Sequence, residues 1–147
     1  MQYYTEEEMS SALLRATTTI NNLTTASAEY TRGINDCFAL MAEYELELTG
    51  QCKVRELVKF RWKSTRDFMV KLARAGYNIE QYMEYCGCEI ISSKRPQLGD
   101  ISFENGAMIN DGDFWVSTDE DNNGVRPKRQ AHFLERQLPV LARPIRS

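Results

Sequence analysis

The sequence predicts an α+β fold, with N-terminal helices packed on a small antiparallel sheet. Three observations carry this. Up to about residue 85, apolar residues recur at spacings of three and four, the period of a helix with one buried face. After Gly87 the apolar runs shorten to a few residues, alternate or become β-branched, and are separated by turn chemistry. There are no internal repeats and no low-complexity stretch, so residues 1–147 read as a single domain, helical over 1–87 and antiparallel sheet over 88–147.

The first helix starts at a capping box. Thr5 is followed by Glu8 three positions on, so each side chain can satisfy a backbone N–H of the other. Its expected buried face is Met9, Ala12, Leu13, Ala16, Ile20 and Leu23. Its many threonines are mediocre helix formers, so tertiary contacts must supply the stability. The stretch around "TTASAEYTRG" is expected to end in a loop at Gly33.

The second helix takes Asn35 or Asp36 as N-cap and stops at Gly50. Phe38, Leu40, Met41, Tyr44, Leu46 and Leu48 are its expected buried side. A basic amphipathic segment, "VRELVKFRW", follows. Then comes a helix capped by Ser64 and ended by Gly76, and a short one capped by Asn78.

The strands are "CEIIS", "DISFE", "GAMIN" and "DFWVST". "INDGDF" reads as a hairpin turn, because Gly accepts a positive φ after Asp. The final run "LPVLARPIR" contains Pro144, which lacks an N–H, and so reads as an edge strand or a tail. The intervening "PKRQAHFLERQ" is not assigned to an element.

Composition narrows the function classes. No run approaches the length of a membrane span, and the acidic start "MQYYTEEEMSS" does not read as a signal peptide. Synthesis and folding in a cytoplasm are expected, where Cys37, Cys52, Cys86 and Cys88 would be thiols rather than two bridges. The net charge of −3 divides unevenly, with −6 in residues 1–50 and +3 in the remainder. Between Lys53 and Arg74 eight basic residues face only Glu56 and Asp67. Such a segment is ordinarily a solvated helix face, and it is also the surface that would dock an acidic partner. No phosphate-cradling glycine loop exists, and nucleic acid is not the expected partner.

Cys37 stands out by position. A thiol in the first turn of a helix lies beside unpaired backbone N–H groups and the positive end of the helix dipole, which favour the thiolate nucleophile. Such a site also needs a base, usually His. The chain's single histidine is His132, far along the sequence. Asp36 completes the candidate catalytic set, although its N-cap role explains it without chemistry. The alternative for Cys37 is a small buried hydrophobe. Cofactors and metals are not expected. "CGC" at Cys86–Cys88 would need Cys52 and His132 to complete the four ligands of a zinc site, and nothing in the spacing demands it. The acidic run Asp119–Asn122 does not follow a calcium-loop spacing.

"DCFAL" resembles the Asp-Cys-small-Gly-apolar motif that opens the central helix of NlpC/P60 domains, papain-like cysteine peptidases acting on peptidoglycan stem peptides. "QLGDISFENGAMINDGDFWVST" resembles their Gly-Asp turn, here Gly99-Asp100, with the strand, hairpin and strand that follow. The resemblance covers roughly residues 34–50 and 96–118, and is similar in kind to small proteins of tailed-phage structural modules. It implies a papain-like fold with Cys37 at a buried helix tip, set against a strand that begins near Gly99. The pattern departs from the family in two places. Asn105-Gly106 stands where a catalytic His is expected, and Phe38-Ala39 replaces small-Gly. The expectation is therefore a virion or tail-associated protein that keeps the fold with a degenerate site, its partners being other virion proteins. Two alternatives stay open: an active peptidase or amidase on peptidoglycan using Cys37 with His132, and a host-directed binding protein acting through residues 53–74.

Overall fold

The computed structural model describes residues 2–27, 36–58, 62–91, 96–103, 106–118, 128–129 and 141–146. A short first strand, β1 (Gln2–Tyr3), precedes five helices: α1 (Glu6–Ser27), α2 (Cys37–Thr49), α3 (Lys53–Val58), α4 (Thr65–Arg74) and α5 (Ile79–Tyr85). Six strands follow: β2 (Cys88–Ile90), β3 (Ile101–Phe103), β4 (Ala107–Asn110), β5 (Trp115–Ser117), β6 (Lys128–Arg129) and β7 (Leu141–Arg146). Every pairing is antiparallel, in the order β1-β7-β3-β4-β5-β6 with β2 also on β7.

Local chemistry sets the helix ends. The Glu8 amide donates to Thr5 Oγ1 and the Thr5 amide to Glu8 Oε1, both at 3.1 Å, which closes the capping box at α1. The Asp36 carboxylate accepts from Ala39 N at 2.9 Å and caps α2. Gly50 ends that helix at φ +78°, where its amide bonds to the Leu46 carbonyl. Ser64 caps α4, and Asn78 with Gln81 forms a full capping box on α5.

The helix α2 is the centre of the molecule. Cys37 through Glu45 are all buried, so no side of its first two turns faces water. Phe38 stacks on Phe68 of α4 with centroids 3.8 Å apart, and meets Trp62 edge-on at 5.9 Å. Phe103 of β3 closes the same aromatic group. The side of the sheet facing the helices supplies Ile101, Ala107, Ile109, Val116 and Ala142 to this core. Met108, Trp115 and Leu141 project from the opposite side, where they form a second buried cluster.

Several expectations require correction. Leu46 is 38% exposed and Leu48 only half-buried, while Glu43 and Glu45 are buried in their place. Burial of these acids is compensated: Glu43 pairs with Arg55 of α3 at 2.9 Å, and Glu45 Oε1 accepts from the Val54 amide at 3.2 Å. Leu23 is exposed rather than part of the α1 core face.

The largest correction concerns the C-terminal run. β7 is no edge or tail but the most paired strand in the sheet, bonded to β1, β2 and β3. Pro144 fits because of register. On the β2 side, Ile145 N donates to the Gly87 carbonyl and Ile91 N to the Leu141 carbonyl. Alternation then turns the Pro144 nitrogen away from β2. On β7, β3 pairs with Leu141 and Ala142 and β1 with Ile145 and Arg146, so Pro144 falls between them and no ladder bond is lost. The sheet also recruits Gln2 and Tyr3 from the very start of the chain, so a division into helices before residue 87 and strands after it is not clean.

Candidate functional site

Cys37 opens α2 and is 7% exposed. Its Sγ accepts a hydrogen bond from the Ala107 amide at 3.4 Å, which ties the helix tip to the first residue of β4. Gly106, immediately before, presents its bare Cα to the same sulfur. A Cβ there would lie 2.9 Å from Cys37 Sγ, closer than such atoms approach, and the residue's φ of +136° disfavours any side chain. The sulfur occupies the volume that a side chain at position 106 would need.

Asp36, beside the thiol, is entirely buried. One carboxylate oxygen caps α2 through Ala39 N, and the other accepts from Trp62 Nε1 at 2.5 Å. Both carboxylate oxygens thus have a donor, one at a helix N-terminus and one an indole N–H, as a polar group away from water requires. This arrangement joins α2 to the segment entering α4.

The turn leading into β3 forms a second buried polar node. Asp100 is fully buried and receives Arg143 of β7 in a bidentate pair at 2.8 and 3.0 Å, with the Gln97 amide adding a third bond at 2.7 Å. The Asp100 contact keeps the Arg143 guanidinium charged by raising its pKa. The neighbouring Gly99 carbonyl accepts from the Tyr44 hydroxyl at 3.0 Å. Gly99 has φ +92°, and a Cβ there would collide with Met9.

Of the three sequence-predicted site residues, Cys37 and Asp36 are adjacent and both buried at the head of α2. His132 lies outside the described residues, as do Asn105 and the acidic run Asp119–Asn122. The strand expected to begin near Gly99 is β3, and the α2 tip reaches its far end, where Phe38 faces Phe103, and meets Gly106 and Ala107 at the start of β4, whereas Gly99 meets Tyr44 about two turns farther along the helix. α2 therefore runs antiparallel to β3, and the Gly99-Asp100 turn meets it about two turns beyond the Asp36-Cys37 head.

Sequence reasoning missed Trp62 as the Asp36 partner and Ala107 as the donor to Cys37. Neither has a sequence signal, because both are contacts between segments far apart in the chain.

Two of the other three thiols, Cys86 and Cys88, line a small apolar cavity near the C-terminal half of α2, together with Glu45, Met83 and Pro144. Burial pushes the Cys88 thiol up to about 12 and the Cys86 thiol higher still, and also raises Cys52. None of the four cysteines is in a disulfide. Among the described residues, no group of His, Cys, Asp and Glu is arranged to hold a metal ion, and no helix is long and apolar enough to cross a membrane.

Chemically, the head of α2 offers a sheltered sulfur with a backbone donor and little access for a substrate. No protein-family model, curated protein or solved structure matches this chain.

Proposed function

We propose that this chain is a non-catalytic relative of the NlpC/P60 peptidases that serves as a structural, tail-associated component of a tailed-phage particle. The observation that carries the reading is the contact between Gly106 and Cys37. The resemblance calls for an imidazole at Asn105-Gly106, and the position that faces the sulfur is a glycine whose missing side chain the sulfur replaces. A cysteine peptidase without its base forgoes general-base help of about 10²–10⁴-fold. The 7% exposure of Cys37 and the use of Asp36 as cap and indole acceptor fit a scaffold in which these residues now hold the fold.

The deciding experiment has two arms. Purified chain incubated with a peptidoglycan stem peptide should give no cleavage above buffer, and the protein should copurify with assembled virions. Turnover that disappears in Cys37→Ala would overturn the scaffold reading, as would a protein found only free in infected-cell lysate.

One observation favours the peptidase alternative. Cys37 sits at a helix N-terminus with the Ala107 amide aimed at its sulfur, an environment that suits a thiolate. That reading requires His132 to serve the thiol. It predicts fast, selective alkylation of Cys37 by iodoacetamide at about pH 6, against the slow labelling expected of the other three thiols, whose pKa values burial raises. Uniform sluggishness of all four removes it.

A further inference from the structure

Four sulfur-containing residues line the small cavity between α2 and the turn from α5 to β2: Cys86, Cys88, Met41 and Met83. Met41 and Met83 are buried, Cys88 belongs to the main core, and Cys86 packs against it. Gly87 lies between the two cysteines at φ +88°, where the chain turns out of α5 into β2. Both are thiols, and they are near enough that a negative charge on Cys88 opposes one on Cys86. The cavity has a volume of about 20 Å³, room for one body the size of a water molecule. The rest of its wall, which includes Val54 and Ile101, is mostly apolar.

A second observation lies one helical turn before Cys86. The Cys86 amide bonds to the Tyr82 carbonyl at 2.9 Å, which puts the two side chains on one side of α5. Tyr82 is completely buried, and its hydroxyl finds no acceptor in hydrogen-bonding geometry among the described residues. A buried donor left without an acceptor is costly. Burial, Glu45 and Cys88 oppose a thiolate at Cys86, whereas the Tyr82 hydroxyl and Lys53 favour one. Lys53 is anchored next to it, with Nζ 3.2 Å from the Tyr85 carbonyl. A donor and a cation suited to a sulfur anion are therefore in place, and a protonated thiol leaves them unused.

We propose that Cys86 and Cys88 together bind one copper(I) ion as a two-coordinate bis-thiolate, with the Met41 and Met83 thioethers as its soft surroundings. Thiolate and thioether sulfur select copper(I) over harder cations. An ion that requires three or more His, Cys, Asp or Glu ligands finds no such group among the described residues, whereas two-coordinate copper(I) asks for two sulfurs only. Binding exchanges two S–H bonds for two Cu–S bonds and releases two protons. The metal stays in its +1 state, and no electrons change hands. The site passes from neutral to a single net negative charge, which the Lys53 ammonium offsets, and the Tyr82 hydroxyl gains the Cys86 sulfur as its acceptor. The proposal does not depend on the reading of Cys37, which lies at the other end of α2, and either can fail alone.

Anaerobic titration of the full chain with copper(I), in competition with a chromophoric copper(I) chelator at fixed pH, tests it. The wild-type chain should withdraw one equivalent from the chelator. A chain carrying Cys37→Ala and Cys52→Ala, which keeps only the two thiols of the cavity, should withdraw the same. Cys86→Ser and Cys88→Ser should each lose this uptake, and circular dichroism checks that each variant is folded. X-ray absorption on the copper-loaded wild-type chain needs no substitution, and it should show a shell of sulfur neighbours without nitrogen or oxygen. A wild-type chain that takes up no copper(I) overturns the proposal. So does uptake that survives either serine substitution, uptake that vanishes from the folded chain lacking Cys37 and Cys52, or a copper shell containing nitrogen or oxygen.

Discussion

Trp62 donates its indole N–H to Asp36 at 2.5 Å, inside the protein, where Asp36 has no exposed surface at all. The bond fastens the chain ahead of α4 to the head of the central helix, and it shares its carboxylate with the N-cap of α2. Removing either partner leaves a buried polar group without its bond. Asp36→Ala should cost about 2–4 kcal/mol, the loss of a cap plus an orphaned indole, and Trp62→Phe about 1–3 kcal/mol. Urea unfolding followed by far-ultraviolet circular dichroism measures both. Because the two share one interaction, the double variant should lose less than the sum of the singles. Strict additivity would mean that the bond contributes nothing to stability.

The contact between Gly106 and Cys37 makes a second, directional case. Gly106→Ala brings a Cβ to within 2.9 Å of the sulfur and forces a non-glycine residue to φ +136°. A loss of about 1–3 kcal/mol is expected. In a Cys37→Ala background the collision with sulfur is gone and only the backbone strain remains, so the cost of Gly106→Ala should shrink. An unchanged cost would show that the φ angle alone forbids a side chain there.

Phe38 sits between Phe68, Trp62 and Phe103 and is 1% exposed. Phe38→Ala should lower stability by about 3–5 kcal/mol, combining lost apolar burial with a cavity that rigid aromatic neighbours cannot fill. A loss below about 1 kcal/mol would place α2 at the periphery and contradict the packing described above.

Glu45 gives the stability a pH dependence. Burial raises its carboxyl to about 7 despite the amides of Val54 and Lys53, which pull the other way. Lys53 also lowers it and Glu56 raises it, both as smaller effects. The folded pKa is above the unfolded one, so the native state binds more protons in the interval between them. Stability from this group is fully present below about pH 4.5 and is lost as pH rises through about 7. Glu45→Gln should flatten that interval by an amount on the order of 2 kcal/mol, read from unfolding midpoints at a series of pH values. A slope identical in the variant would assign the pH dependence elsewhere.

Much of the helical half was legible because its signals are local. Thr5 with Glu8, Asp36, Ser64, Asn78 with Gln81, and Gly50 each fix a helix end through bonds that span a few residues. The strands β2 to β5 also announced themselves, by β-branched runs and by the Asp111-Gly112 turn, where Gly112 takes φ +104°. The C-terminal strand was misjudged, since Pro144 argues for an edge only if its nitrogen would face a partner, and register decides that. Leu46 and Glu45 exchanged their expected places for a related reason: a helix enclosed on all sides has no single apolar stripe, and an acid can be buried if a neighbouring helix start receives it.

The amino-acid order alone set the kinds of element, most of their ends, the α+β class and the presence of a cysteine in the first turn of a helix, because each depends on interactions between residues close in the chain. It could not settle that Trp62 would hold Asp36, that Gly106 would yield its space to the Cys37 sulfur, that Asp100 would pair with Arg143, or that β7 would lie at the heart of the sheet. Those facts arise where segments 26 to 70 residues apart meet, as between Asp36 and Trp62 or Cys37 and Ala107, and such meetings are fixed by the packing of the whole core.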